Sequence, residues 1–291
     1  MLEIVNLNKS YGKNKVLTDI DIEIEENKIY GLLGRNGVGK TTLLKLITGQ
    51  LIRNSGEVKL DDAEVFENDK AMEDFCLVRE FSNSIKEKKV KDILAFARIL
   101  YKDWDIDYEK FLINEFGLNT RKKFLKLSTG NQTIVGLIIG LASRSRFTFF
   151  DEPTLGLDAA MRYKFYNLLL ADYEKNPRTV IISTHLIDEV ANLFEEVIIL
   201  NEERVALKDN VDSLTNRSYF LSGREDNINE VIKNKRVIHS EEFGSTKIIG
   251  IYGELSDEEI KEIKSNNIEI SNIPLQKLFI YLTENIAKEG K

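Results

Sequence analysis

Apolar and polar residues alternate along two stretches near the start of the chain, residues 2–7 and 20–24. A period of two places every second side chain on the same face of a β-strand. The pattern therefore predicts two half-buried strands of an antiparallel sheet. The apolar positions are Leu2, Ile4, Leu7, Ile20, Ile22 and Ile24.

Three other short stretches, 29–33, 147–150 and 179–182, are apolar almost throughout. Continuous apolar runs of this length are typical of buried strands, as in parallel sheets. Helical spacing of leucine and isoleucine follows the first run, and helical periodicity also dominates residues 90–142. Within that stretch one predicted helix has Ile93, Leu94, Phe96, Ala97 and Leu100 on one face, and an apolar helix is predicted over residues 133–142. We predict an α/β domain over residues 1–214, with a helical insertion at about 86–142.

The last part of the chain, residues 215–291, predicts a smaller α+β domain. Its strand and helix patterns follow the order β-α-β-β-α-β of a ferredoxin-like fold. A final helix places Leu275, Leu278, Phe279 and Leu282 on one stripe. We expect this stripe to be a core or dimer contact rather than a membrane anchor, because charges of both signs cover the other face.

Composition narrows the function classes. The chain has 291 residues and a net charge of −7, which argues against nucleic acid as the main partner. The first residues lack the basic start and apolar core of a signal peptide. The longest uncharged apolar stretch, residues 134–142, is about half of what a bilayer-spanning helix needs. With one cysteine, the expected compartment is the cytoplasm.

The strongest motif is the stretch Gly34–Thr42, whose spacing is that of a P-loop, G-x-x-x-x-G-K-[ST]. It lies between the strand 29–33 and a predicted helix, which is the context that the motif requires. Glycines let backbone N–H groups approach phosphate oxygens, and the helix adds its positive end. Lys40 is expected to reach the β- and γ-phosphates, and the Thr41 hydroxyl is expected to bind Mg²⁺. The alternative is a glycine turn that binds nothing.

Two further strands end on residues that suit phosphate chemistry. Asp151 and Glu152 follow the run 147–150, where Asp151 can hold Mg²⁺ through water and Glu152 can polarise the attacking water. His185 ends the predicted strand 179–185 and is expected to point toward the γ-phosphate. Solvated acids and a structural histidine are the alternatives. Tyr11, in a predicted turn, either stacks on a base or covers the sheet edge.

Taken together, these motifs resemble the ATP-binding subunit of an ABC transporter over residues 1 to about 214. The resemblance implies a RecA-like P-loop NTPase core, an antiparallel β subdomain and an inserted helical subdomain. It implies ATP and Mg²⁺ as cofactors, with Lys40, Glu152 and His185 in catalysis and Thr41, Glu80 and Asp151 around the metal. The implied nucleotide contacts are Tyr11, Gly34, Asn36, Gly37, Gly39, Lys40, Thr41, Thr42, Ser128, Gly130 and Asp158.

The same resemblance implies partners. In ABC ATPases two nucleotide domains close head to tail, so that Ser128 and Gly130 of one copy complete the phosphate site of the other. We expect a homodimer or heterodimer, and a separately encoded membrane permease that holds the chain at the inner face of the membrane. Additions such as residues 215–291 are seen in exporter-type subunits, so export is the expected direction.

The sequence departs from the family pattern at three places. The signature reads Leu-Ser-Thr-Gly-Asn, in which Thr129 replaces a glycine; Glu80 occupies the usual glutamine position; and Thr148 interrupts the apolar strand before Asp151. None of these removes the P-loop lysine or a catalytic carboxylate, so we expect an active ATPase. The alternatives are a soluble ABC ATPase acting on ribosomes or DNA and an ATP-switched regulatory module.

Overall fold

The fold is taken from a computed structural model of the chain, which describes residues 1–81, 85, 87–232 and 235–289. The chain divides into two compact units, residues 1–205 and 206–291. The division lies nine residues before the domain boundary predicted at 214/215. Residue 86, the predicted start of the helical insertion, and residues 290–291 lie outside the described residues.

Strands and helices follow one another along most of the chain. The strands are β1 (Leu2–Tyr11), β2 (Asn14–Ile24), β3 (Ile29–Leu33), β4 (Ser55–Leu60), β5 (Ala63–Glu64), β6 (Phe75–Val78), β7 (Phe147–Asp151), β8 (Thr179–Thr184), β9 (Glu196–Asn201), β10 (Arg204–Asn210), β11 (Ser218–Arg224), β12 (Arg236–Phe243), β13 (Thr246–Tyr252) and β14 (Glu269–Asn272). The α-helices are α1 (Lys40–Ile47), α2 (Asp69–Met72), α3 (Val90–Leu100), α4 (Ile106–Glu115), α5 (Thr129–Ala142), α6 (Ala159–Lys175), α7 (Ile187–Val190), α8 (Val211–Asn216), α9 (Glu225–Val231), α10 (Asp257–Ser265) and α11 (Leu275–Glu289).

The first sheet of the larger unit is antiparallel, with strand order β2-β1-β4-β5. The six apolar residues of the predicted strands are buried and lie opposite one another in the pairs Leu2–Ile24, Ile4–Ile22 and Leu7–Ile20. Asn6, with φ of 45°, marks a register shift between Ile4 and Leu7. The shift explains why the apolar positions move from even to odd numbers along β1.

The second sheet has strand order β10-β9-β3-β8-β7-β6, and its four pairs among β9, β3, β8, β7 and β6 are parallel. Helix α1 packs between the two sheets, because Leu43, Leu44, Leu46 and Ile47 join one buried cluster with residues of both. This α/β arrangement agrees with the predicted fold class. The core holds the carboxyl ends of β3, β7 and β8 at fixed positions.

Helices α3, α4 and α5 form the helical part of this unit, as the periodicity predicts. Only part of the apolar face predicted for α3 is buried. Ile93, Leu94 and Ala97 are buried, but Phe96 is 64% exposed and Leu100 is 58% exposed. The apolar face of α3 is wider than the surface that packs against it, so its outer residues face solvent.

The smaller unit has the element order β11-α9-β12-β13-α10-β14, followed by α11. Its sheet has the strand order β12-β13-β11-β14 with antiparallel neighbours. This is the predicted β-α-β-β-α-β order. In α11, Leu275, Leu278 and Leu282 are buried, so the apolar stripe forms part of a core. Among the described residues, no helix is both long and apolar enough to cross a membrane.

Candidate active site

The strand order brings three loops to one edge of the parallel sheet. β3 pairs with β8, and β8 pairs with β7, so residues that follow these strands meet beyond their carboxyl ends. Crevices at this edge are the usual ligand sites of open α/β sheets. The P-loop follows β3, Glu152 follows β7 and His185 follows β8.

The P-loop bends through left-handed backbone conformations before α1 begins. Gly39 has φ of 110°, and a Cβ atom on it would lie 2.9 Å from Leu17 Cδ2 and 3.0 Å from the Val16 carbonyl oxygen. Only glycine fits this position without strain. The turn points the first N–H groups of α1 at the space in front of the loop, where a phosphate would be stabilised.

Lys40 is buried beneath the loop, with its side chain only 7% exposed. Its ammonium group donates hydrogen bonds to the carbonyl oxygens of Gly34 at 2.7 Å and of Arg35 at 3.3 Å. Burial lowers the pKa of Lys40, while the nearby carboxylates of Glu152 and Asp151 oppose that shift. A buried cation whose hydrogen bonds go to neutral carbonyl oxygens is suited to exchange them for phosphate oxygens, which carry charge.

Asp151 is held by two hydroxyl groups. Thr41 Oγ1 donates to Asp151 Oδ2 at 2.6 Å, and Ser183 Oγ donates to Asp151 Oδ1 at 3.0 Å. Ser183 was not identified from the sequence. It lies directly opposite Asp151 in the β7–β8 register, and its only sequence signal is a hydroxyl after the apolar run 180–182, two residues before His185.

Glu152 and His185 contact each other directly: Glu152 Oε2 lies 2.8 Å from His185 Nδ1. The other carboxylate oxygen, Oε1, lies 3.9 Å from the Lys40 ammonium. The backbone of Glu152 has φ of 49°, an unusual value for a residue with a side chain, and its N–H donates to the Ser183 carbonyl at 2.9 Å. The backbone therefore turns out of the sheet at Glu152, beside Lys40.

The donor set fits Mg²⁺. The Thr41 hydroxyl and the Asp151 carboxylate are hard oxygen ligands, and Mg²⁺ is usually held by one or two such groups together with substrate phosphates and water. When bound, the metal would neutralise charge on the transferred phosphoryl group. Glu80 lines a cavity of about 380 Å³ together with Asp151 and Glu152. Its predicted role around the metal stays a prediction.

The signature residues lie at the start of α5, not before it. We expected this helix to begin at Thr133, but it begins at Thr129, with Ser128 as the N-cap that accepts a hydrogen bond from the Asn131 N–H at 3.3 Å. Ser128 is exposed. A Cβ atom on Gly130 would lie 2.9 Å from the Gly156 carbonyl oxygen, so the helix start packs against the loop after β7.

Among the remaining predicted nucleotide contacts, Tyr11, Asn36 and Asp158 are exposed and Thr42 is half-buried. Tyr11 lies at the end of β1 rather than in a turn and is 52% exposed, with the Lys9 ammonium 5.0 Å from its ring centroid. Asp158 caps α6 by accepting from the Met161 N–H at 2.8 Å. Asn36 is exposed at the tip of the P-loop and Thr42 lies in the first turn of α1. The roles of these residues in binding stay predictions.

The site combines three parts: a phosphate-binding loop with a buried lysine, a hydroxyl–carboxylate pair and a glutamate–histidine pair. This combination defines a P-loop nucleotide hydrolase. Comparison with known proteins narrows the class. The sequence model described as ABC transporter matches residues 17–155, and one described as an AAA domain matches residues 123–191. Residues 17–155 therefore carry the ATP-binding domain of ABC transporters, and the chain is an ATPase of that type.

Individual relatives agree with this assignment. The ABC transporter ATP-binding protein YtrB of Bacillus subtilis is 28% identical over 214 residues, covering 74% of this chain and 73% of YtrB. The bacitracin transport ATP-binding protein BcrA of Bacillus licheniformis is 27% identical over 268 residues, covering 89% of this chain and 87% of BcrA. A solved ATP-binding cassette, dimeric and bound to ADP and Pi after hydrolysis, covers 72% of this chain and 99% of its own, with a TM-score of 0.63 at 23% identity, which shows the fold.

Proposed function

We propose that this chain powers export through a separately encoded membrane permease, by closing onto a second ATP-binding subunit when ATP binds and releasing it after hydrolysis. The observation that supports this proposal is the cluster of residues at the sheet edge. There Glu152 lies next to both Lys40 and His185, beside the Thr41–Asp151 pair. Positioning and charge stabilisation are most of what phosphoryl transfer requires of a protein. In this proposal the chain lies in the cytoplasm, against the inner face of the membrane.

The two-subunit part of the proposal rests on the exposure of the signature. Ser128 and Asp158 are both exposed, yet each is fixed as a helix N-cap. Rigid, exposed polar groups at helix starts are suited to complete a phosphate site on a second subunit. The partner in this proposal is a second copy or a related ATP-binding subunit.

The variant Glu152→Gln tests the ATP-driven closure. We expect ATP binding to persist and hydrolysis to fall by about 10²–10⁴-fold, because the amide cannot accept a proton from water. Light scattering after gel filtration in Mg²⁺ and ATP should then show a dimer. Adding Ser128→Arg is the matched control, since it should prevent dimers without weakening ATP binding. A Glu152→Gln chain that binds ATP but remains monomeric at every concentration contradicts the closure.

The permease part rests on an apolar groove on the helical part of the larger unit. The groove has a volume of about 220 Å³ and is lined by Phe81, Ile85, Phe96 and Leu100, among others. Of these, Phe96 is 64% exposed and Leu100 is 58% exposed. Residues 78–81 line both this groove and the cavity at Asp151 and Glu152, so an occupant of the groove would contact the segment next to the ATP site.

Phe96→Glu tests this surface, because Phe96 lines the groove and is exposed. We expect the variant to keep the ATPase activity of the purified chain and to lose co-purification with a membrane protein from detergent extract. Ile106→Glu is the control, because Ile106 is also an exposed apolar residue of the helical part, at 49%, and does not line the groove. Equal recovery of the membrane partner by both variants would show that the groove is not the docking surface.

The direction of transport needs its own measurement. The alignment with BcrA covers 89% of this chain, whereas the larger unit accounts for only 205 of its 291 residues. The alignment therefore includes part of the C-terminal unit, and that unit motivates the export prediction. Inverted membrane vesicles containing the complex should accumulate labelled cargo when ATP is added outside. Accumulation only in right-side-out vesicles loaded with ATP would show import instead.

A further inference from the structure

A single arginine, Arg162 on α6, contacts two segments that follow neighbouring strands of the parallel sheet. Its Nε and Nη2 atoms donate to the two carboxylate oxygens of Glu189, each at 2.7 Å. Its Nη1 atom donates to the Leu157 carbonyl oxygen at 2.9 Å. Leu157 belongs to the loop after β7, whereas Glu189 belongs to α7, after β8.

These two segments carry the residues that must meet for hydrolysis. The loop after β7 begins with Glu152, and the segment after β8 begins with His185, four residues before Glu189. Helix α7 has only four residues, too few for a helix to be stable on its own hydrogen bonds. Its position depends on the buried Ile187 and Val190 and on the pair formed by Glu189.

We propose that Arg162 is a positioning residue for the ATPase reaction, keeping His185 aligned with Glu152 by joining Glu189 to the Leu157 carbonyl. The inference rests on the proposed roles of Glu152 and His185. Arginine suits this task because its planar fork makes two parallel bonds to a carboxylate while a third N–H bonds elsewhere. The 2.8 Å contact between Glu152 and His185 joins the far ends of the same two segments.

Arg162→Gln in the full chain tests the proposal by steady-state kinetics. We expect kcat to fall by about 10–100-fold, because small displacements of reacting groups cost that much. The KM for ATP should stay within about twofold, since the P-loop and Tyr11 are untouched. Glu189→Gln should give the same kcat loss. The double variant should be no slower than the slower single variant, because both changes break one unit.

The matched control is Arg98→Gln. Arg98 donates to both carboxylate oxygens of Glu109 at 2.7 Å, which is the same bidentate geometry, but it joins α3 to α4. The Glu109 side chain is 0% exposed and the Glu189 side chain is 37% exposed. The control should therefore lose more stability toward urea and keep its kcat. Loss of activity in proportion to loss of stability, across the two variants, overturns the positioning role.

A spectroscopic readout separates alignment from general damage. The chain has two histidines, His185 and His239, so their imidazole resonances can be assigned with a single variant, His239→Gln. Arg162→Gln should move the His185 resonances and leave those of His239 in place, whereas Arg98→Gln should move neither. Unmoved His185 resonances in Arg162→Gln overturn the proposal.

Two further variants distinguish this inference from the proposed site. If Glu152→Gln and His185→Ala hydrolyse ATP at the rate of the unmodified chain, the proposed roles of those residues fail. If both variants are slow and Arg162→Gln behaves as Arg98→Gln does, only the positioning role fails.

Discussion

Two hydroxyl groups hold the same carboxylate, but only one of them is predicted to bind the metal. Thr41 and Ser183 each donate to one oxygen of Asp151, at 2.6 and 3.0 Å. Thr41 is exposed, whereas Ser183 is 0% exposed. Thr41→Val and Ser183→Ala each remove one hydroxyl and leave the other bond to Asp151 in place. We predict that the two variants rank in opposite order for stability and for use of Mg²⁺-ATP.

The stability ranking follows from burial. A typical hydrogen bond contributes about 0.5–1.5 kcal/mol, and we expect Thr41→Val to cost about 1 kcal/mol of unfolding free energy because water can replace the exposed hydroxyl. Loss of a partner for a buried group costs about 1–3 kcal/mol, which is the expectation for Ser183→Ala. Urea unfolding without nucleotide measures both values.

The ranking for Mg²⁺-ATP is reversed. Removing a residue that only hydrogen-bonds to a metal ligand costs about 10–100-fold in metal affinity or activity. Loss of the Thr41 ligand should therefore cost at least about 100-fold in kcat/KM, equivalent to about 2.7 kcal/mol. Ser183→Ala should cost about tenfold or less, because Asp151 keeps its Thr41 contact. Measuring ATPase rates against Mg²⁺ concentration at saturating ATP gives the comparison.

One result would refute the reasoning. If Ser183→Ala impaired the Mg²⁺ dependence as much as Thr41→Val did, the Thr41 hydroxyl would serve only to hold Asp151. Nucleotide binding in EDTA is the internal control, since neither variant alters the loop that is predicted to hold the phosphates.

Three further changes test the packing of both units and the charge network. Gly140→Ala should destabilise the protein by about 1–3 kcal/mol in urea, because a Cβ atom there would lie 2.5 Å from Phe150 Cε1 and overpack the core; a stabilised variant would contradict that packing. Arg146 lowers the pKa of Asp61 by hydrogen bonding, so their pairing stabilises the fold above the ordinary pKa of about 4 and is lost as the pH falls below it. Arg146→Gln should therefore cost about 1 kcal/mol at pH 7 and progressively less toward pH 3, measured by denaturant titration at each pH, and a cost that did not depend on pH would exclude this linkage. Leu278→Ala, at a fully buried position of α11, should cost about 2–5 kcal/mol and leave ATP affinity unchanged, as calorimetry can show.

Features encoded within a few consecutive residues were predictable from the sequence. The strands β1 and β2 were predictable because a period of two is a local signal, and the P-loop because its motif spans nine residues between a strand and a helix. The element order of the smaller unit followed from short strand and helix patterns in succession. The domain boundary and the individual roles of the site residues stay predictions.

Features that depend on what covers a surface were not predictable. Phe96 and Leu100 have the same helical spacing as the buried residues of α3, yet they are exposed, since spacing defines a face but not its neighbours. The start of α5 was missed for a related reason. Thr129–Gln132 are polar, and a polar first turn is hard to separate from a loop until the Ser128 cap is seen.

The residues that the sequence did not reveal share one property: they act between segments rather than within one. Ser183 reaches Asp151 because β7 and β8 are neighbours in register, and Arg162 reaches Glu189 across 27 positions of sequence. Ser183 links β8 to the last residue of β7, and Arg162 links the loop after β7 to the helix after β8; Glu152 and His185 lie in these same parts of the chain. Motifs identify the groups that contact the nucleotide, whereas the relative position of those groups is fixed by cross-strand partners that no local pattern contains. The rate of hydrolysis should therefore depend on Arg162 as well as on the residues at the sheet edge itself, because alignment within the site is set where the two segments are joined.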